Sequence, residues 1–213
     1  MPGTTPIHCT TGVIALEGLD GCGTTTQAKL LAERIISEGN IAALTQEPSS
    51  GYVGSLIREA LTTSQDTSTE TFPAFLALLF AADRLEHLDS RVRPALDRGE
   101  WVITDRSVLS SLAYQSMELS ADWVESINGL APFPHLVIWV DTPPDECIAR
   151  IEGRREARER YEKLETLKTL HPLYKALSER SFDGVKLVRI DGQPSVQEVH
   201  EAVWAEFNGF FDR

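Results

Sequence analysis

The run Gly12-Val-Ile-Ala-Leu-Glu17, followed at once by Gly18-Leu-Asp-Gly-Cys-Gly23-Thr24-Thr25-Thr26-Gln27, constrains the fold more than any other part of the chain. A short aliphatic segment without polar alternation reads as a strand buried on both faces, and such strands belong to parallel sheets covered by helices. Glycines 18, 21 and 23 then make a tight turn, and helical spacing continues through Gln27 to about Ser37. The phosphate-binding form G-x-x-x-x-G-K-[ST] is matched at Gly18, Gly23 and Thr25. In such a loop the backbone N–H groups turn inward around a phosphate and the following helix adds its positive end. Thr25 supplies the hydroxyl that holds Mg²⁺, whereas the lysine position is Thr24. Lys29 is no substitute, being about 7.5 Å further along the helix axis and rotated away. A glycine-rich strand-to-helix turn that binds nothing is the alternative at this point.

Strands and helices alternate along the rest of the chain. Further strands are expected at residues 41–45, 101–104, 136–140 and 186–190. Between residues 70 and 98, Phe72, Phe75, Leu76, Leu79 and Phe80 recur at helical spacing, and Pro94 should kink or end that element. Amphipathic helices are expected at about 158–179 and at 196–211. The expectation is an α/β fold of P-loop NTPase type over residues 1–213 as one domain. It has a five-stranded parallel sheet with helices on both faces. Ligands in such sheets sit beyond the carboxyl ends of the strands.

Composition narrows the partners. Twenty Lys and Arg against 32 Asp and Glu give a net charge of −12, which disfavours nucleic acid and anionic membranes as partners. The longest apolar stretch, Phe75 to Ala82, is too short to span a membrane, and the first residues have no signal-peptide pattern. Cys9, Cys22 and Cys147 are odd in number and far apart, which suits a reducing cytoplasm rather than a disulfide framework. Against the acidic background, five basic residues fall between Arg150 and Arg160. The bland reading of that segment is a solvated helix with Arg155–Glu159 and Glu156–Arg160 pairs. Arg150, Arg154 and Arg158 are also four apart and would put like charges on one face, which an anion would relieve.

Four ordered segments resemble thymidylate kinases. They are the loop from Ala15 to Gln27, Thr45-Gln-Glu-Pro48 (the family's T-R-E-P), Leu79-Phe-Ala-Ala-Asp-Arg84-Leu-Glu-His87 (F-x-A-D-R-x-x-H), and the segment from Val102 to Gln115 containing Asp105-Arg106 and Ser-Ser-Leu-Ala-Tyr114-Gln115. The likeness runs from about Val13 to Leu177. It implies a kinase that transfers a phosphoryl group from ATP·Mg²⁺ to dTMP, giving dTDP and ADP, and that works as a homodimer.

By that resemblance Gly18, Leu19, Asp20, Gly21, Cys22, Gly23, Thr24, Thr25 and Thr26 cradle the ATP phosphates, and Thr25 and Asp105 hold Mg²⁺. Asp20 also meets the sugar 3′-hydroxyl. Phe80 stacks on thymine and Arg84, on the same helix face, bonds its edge; the alternative is a core phenylalanine beside a surface Asp83–His87 pair. Arg106 and Gln46 hold the acceptor phosphate, although a strand-end Asp105-Arg106 pair alone also reads as a local salt bridge. Tyr114 and Gln115 line the sugar and base pocket, and Arg154, Arg155 or Arg158 in the lid neutralises the transferred group. Thr24, Gln46 and Ser107 stand where the family has Lys, Arg and Tyr. Those departures keep two rivals open: the same fold with another acceptor, such as a deoxynucleoside or another pyrimidine monophosphate, and a catalytically weak nucleotide-binding module.

Overall fold

The computed structural model describes residues 11–62, 69–153 and 161–211. Five parallel strands form one sheet: β1 (Val13–Glu17), β2 (Ala42–Gln46), β3 (Trp101–Asp105), β4 (Leu136–Asp141) and β5 (Lys186–Asp191), in the order β2-β3-β1-β4-β5. All six residues of β4 are buried, so helices must cover the sheet on both sides at its centre, whereas the edge strands β2 and β5 are partly exposed. The aliphatic run ending at Glu17 is thus a central strand, paired with β3 on one side and β4 on the other.

The helices are α1 (Thr24–Ser37), α2 (Tyr52–Thr62), α3 (Phe72–His87), α4 (Arg93–Asp97), α5 (Val108–Tyr114), α6 (Ala121–Asn128), α7 (Pro144–Glu152), α8 (Leu164–Ser178) and α9 (Val196–Phe211). Helix α1 packs on β1, β2, β3 and α9, while α4 rests on β3 and α8 on β5. Buried side chains from both sides, among them Leu31, Ile35, Trp139, Leu167, Tyr174 and Val203, make the main core around the sheet, and Ala43, Leu88, Val92, Ala95 and Val102 make a second, smaller cluster. No helix among the described residues is long and apolar enough to cross a membrane.

Two expectations are corrected. Pro94 neither ends nor breaks the long helical element: a π-helical turn at Leu88–Val92 carries α3 into α4, with Pro94 in the first turn of α4, where a missing N–H costs little. Helix α8 begins at Leu164, not near residue 158. Helix α7, which carries Arg150, ends at Glu152 with Gly153 after it. Arg154, Arg155 and Arg158 themselves lie outside the described residues.

Candidate active site

The loop from Gly18 to Thr26 leaves the carboxyl end of β1 and opens α1. Gly23 caps the helix at φ 105°, and a side chain there would meet nothing within 4 Å. At Gly21, φ is 83° and an added Cβ would lie 2.5 Å from the Cys147 carbonyl oxygen, so only glycine fits. The Cys22 N–H returns to Leu19 O and the Gln27 N–H to Gly23 O, at 3.1 and 3.0 Å. The first helical N–H groups, from Thr24 to Thr26, have no intrahelical acceptor and make the loop an anion cradle. Cys22 is buried, and burial pushes its thiol up to about 12.

Thr24 is buried at the start of α1, and Lys29 is exposed and faces Glu33. Among the described residues the guanidinium groups touching the loop are Arg106, which donates to Gly18 O at 2.9 Å, and Arg150, which donates to Cys22 O at 3.2 Å and Gly192 O at 3.0 Å. Arg150 is also paired with Glu146.

Strand β3 brings Asp105 and Arg106 to the same place. The Thr25 hydroxyl donates to Asp105 Oδ2 at 2.5 Å, while Asp105 Oδ1 is buried without a protein partner. An unpaired carboxylate oxygen beside a threonine hydroxyl is the donor chemistry a hard divalent cation takes when nucleotide phosphates and water complete its shell. Among the described residues no cluster of three or more His, Cys, Asp or Glu side chains could hold a metal unaided. Arg106 adopts φ 75°, a conformation that costs about 1–3 kcal/mol and persists where its surroundings over-determine it. They do: besides Gly18 O, the guanidinium donates to Asp20 at 2.5 Å, to Ser110 Oγ at 3.1 Å and to Tyr174 Oη at 3.4 Å, and it lies over the Tyr114 ring.

Beyond Asp20 opens a cleft lined by Phe80, Arg84, Arg106, Tyr114 and Gln115 together with Glu47, Ser110, Ser111 and Tyr161. Phe80 and Arg84 both face it from α3. Gln115 Oε1 and Tyr114 Oη are buried there without partners. Gln46 is exposed at the end of β2 and is not among the lining residues; its neighbour Glu47 is. Arg84 is more committed than a ligand-reading side chain at a free surface. It donates to Glu47 and Ser111 Oγ at 2.9 Å, to Ser107 O at 3.4 Å, and to Asn128. The surface pair Asp83–His87 does not form: Asp83 is buried and accepts from Ser49, and His87 is buried against Thr45 and Glu47.

Sequence reasoning gave no role to Glu17, Glu47 or Tyr174. Glu17 is a buried carboxylate accepting from Ser107, Ser110 and Tyr174; burial raises it above the usual carboxylate range, against the lowering effect of Ser110 and of the Arg106 charge. Its signal was available, since a charged residue ends an otherwise apolar strand directly before the glycine loop. Tyr174 carried none: it sits on the stripe Leu167, Leu170, Tyr174, Leu177, which reads as core.

A glycine loop opening a helix from the central strand, a Thr–Asp pair at its mouth and a cleft beyond Asp20 are the architecture of a P-loop phosphotransferase. The sequence model of the family "Thymidylate kinase" matches residues 16–203. The chain belongs to the thymidylate kinase family. It is 43% identical over 195 residues to "Probable thymidylate kinase" of Pyrococcus abyssi, across 90% of this chain and 93% of that protein. To "Thymidylate kinase" of Caldanaerobacter subterraneus it is 34% identical over 199 residues, across 89% and 91%. A third relative, "Probable thymidylate kinase" of Thermococcus kodakarensis, is 38% identical over 198 residues.

Proposed function

We propose that this chain transfers the γ-phosphoryl group of ATP to the phosphate of dTMP, giving dTDP and ADP. Family membership supports the activity. The observation that carries the site assignment is the cleft in which Phe80, Arg84, Tyr114 and Gln115 meet Asp20 and Arg106. Phosphoryl transfer asks little covalent chemistry of the protein; alignment and charge neutralisation supply most of the catalysis. The loop residues 18–26 hold the donor phosphates. Thr25 and Asp105 would hold Mg²⁺, which would supply positive charge against the donor phosphates. Arg106 holds the acceptor phosphate at the foot of the cleft, and Asp20 meets the sugar hydroxyl. Phe80 stacks on the base. A thymine edge offers one N–H between two carbonyl groups, and it is matched by the unpartnered Gln115 Oε1 and a remaining Arg84 donor. Gln46, uncharged and outside the cleft lining, adds little. Arg154, Arg155 or Arg158 neutralises the transferred group.

The same reading takes residues 1–213 as one cytoplasmic domain that forms a homodimer. The exposed Phe75 and Leu78 on α3, with Tyr52 and Leu56 on α2, supply an apolar face for a second copy. Light scattering of the purified protein measures that state. The activity is tested by following ADP release with ATP, Mg²⁺ and a panel of dTMP, dUMP, thymidine and dCMP. dTMP should turn over fastest and thymidine not at all; faster turnover of thymidine would refute the acceptor assignment.

A further inference from the structure

Arg106 is held partly by two hydroxyls, and a hydroxyl holds a cation only when its proton points elsewhere. Ser110 Oγ lies 3.1 Å and Tyr174 Oη 3.4 Å from Arg106 Nη1, a group that can only donate. Each hydroxyl has one proton. Ser110 Oγ lies 2.6 Å and Tyr174 Oη 3.2 Å from the same atom, Glu17 Oε2. The two hydroxyls also lie 2.9 Å from each other, where either can donate. An ionised Glu17 accepts and never donates, so the protons run toward Oε2, directly or through the other hydroxyl, and each hydroxyl keeps a lone pair for Arg106. The other oxygen, Oε1, accepts from the backbone N–H groups of Ser107 (2.7 Å) and Ser110 (3.3 Å) and from Ser107 Oγ (2.7 Å). It therefore caps α5, whose own N-cap residue Ser107 makes no side-chain cap. One carboxylate fixes the helix that follows Arg106 and the polarity of the hydroxyls that grip it.

We propose that Glu17 is the positioning residue for Arg106: by accepting only, it orients the hydroxyls of Ser110 and Tyr174 so that the guanidinium is fixed for the acceptor phosphate. The inference rests on the reading that Arg106 holds that phosphate. Glu17→Gln is nearly isosteric and keeps an oxygen for the α5 N–H groups. Its amide N–H₂, however, would donate to Ser110 and Tyr174, turning their protons toward Arg106. The predicted effect is confined to ligands that carry the phosphate.

The test is isothermal titration of Glu17→Gln with dTMP and with thymidine, together with the KM for ATP and the melting temperature. The dTMP Kd should rise about tenfold or more, as expected for weakened hydrogen bonding to a charged group. Thymidine affinity and the KM for ATP should stay within about twofold, and the Tm should not fall, because the cost of burying a charge is removed. An unchanged dTMP Kd, or equal weakening of dTMP and thymidine, would overturn the proposal. Should Glu17→Gln fail to fold, Tyr174→Phe removes one gripping hydroxyl with Glu17 intact. It should weaken dTMP and spare thymidine, and an unchanged dTMP Kd there would likewise overturn the relay. Arg106→Lys separates the two layers of inference. If it leaves dTMP binding unchanged, the acceptor-phosphate reading fails. If it weakens dTMP while Glu17→Gln does not, the relay alone fails.

Discussion

Removing the Glu47 carboxylate should destabilise the whole fold and damage the acceptor cleft together. The side chains of Arg84 and Glu47 are only 6% and 9% exposed, and Glu47 Oε2 accepts from Arg84 Nε and Nη2, both at 2.9 Å. Its other oxygen faces His87 Nδ1 at 3.4 Å. Glu47→Ala leaves the guanidinium buried with neutral partners, Asn128, Ser107 and Ser111, but without a counter-charge. Breaking a buried pair from one side costs about 3–5 kcal/mol. At about 2–4 °C per kcal/mol for a chain of this size, the Tm should fall by about 6–20 °C. Glu47→Gln, which keeps one acceptor, should lose less.

The pH dependence of that loss has a definite sign. Burial alone would raise the Glu47 carboxyl, yet the Arg84 charge and the His87 ring bring it below the ordinary carboxylate range. The stabilisation is therefore complete above the unfolded value near 4.5 and is lost as pH falls through the lower folded value. Calorimetric melts of the parent and both variants between neutral pH and pH 4 measure this. The gap between the parent and Glu47→Gln should stay constant near neutrality and narrow below the unfolded value. A Glu47→Ala Tm within about 2 °C of the parent, or a gap that widens in acid, would refute the reasoning.

Asp105→Asn should raise the Mg²⁺ concentration for half-maximal rate by at least about 10- to 100-fold, read from ADP release against total Mg²⁺. Phe80→Ala should raise the KM for dTMP by about 5- to 150-fold, the equivalent of about 1–3 kcal/mol of base stacking, and leave the KM for ATP within about twofold. Thr24→Lys should leave kcat unchanged or lower it, since the inserted ammonium would compete with the lid arginines proposed above for the same phosphate oxygens. A hundredfold gain in kcat would instead mark a loop that has lost its activating cation.

How much could be read beforehand follows from which interactions are local. Strand β4 stood out because six consecutive residues are buried, a pattern that survives any neighbour. The loop stood out because its backbone demands glycine at 21 and 23. Helix α2 passed unread because Gly54 breaks its helical pattern. The glycine is required there by tertiary packing, since a Cβ at that position would lie 2.0 Å from Ser49 O. Helix α5, seven residues with two serines, is held by Glu17, ninety positions away in sequence from Ser107, and no local pattern announces that. Phe80 and Arg84 were correctly placed on one face of α3 by spacing alone. The partners of Arg84 came from the ends of β2 and β3 and from α5 and α6, which spacing cannot bring together.

The charges around the loop explain why a thymidylate kinase family member without the loop lysine needs basic residues elsewhere. Arg106 and Arg150 touch the loop, but Arg106 is paired with Asp20 and Arg150 with Glu146. Asp105 and Glu17 add negative charge nearby, and Arg84 is spent on Glu47. The described groups thus leave no net positive charge to meet a polyphosphate. The backbone N–H groups of the cradle and the end of α1 contribute only partial charges. On the proposed reading, Mg²⁺ held by Thr25 and Asp105 would offset part of the deficit, and the remainder would fall to other cations. Arg154, Arg155 and Arg158 belong to the densest basic segment of the sequence. With Thr24 in place of lysine, the neutralising role proposed for them would weigh more in this chain than in a loop that carries its own cation. Neutralising one of them should therefore lower kcat more here than in a version of the protein carrying Thr24→Lys.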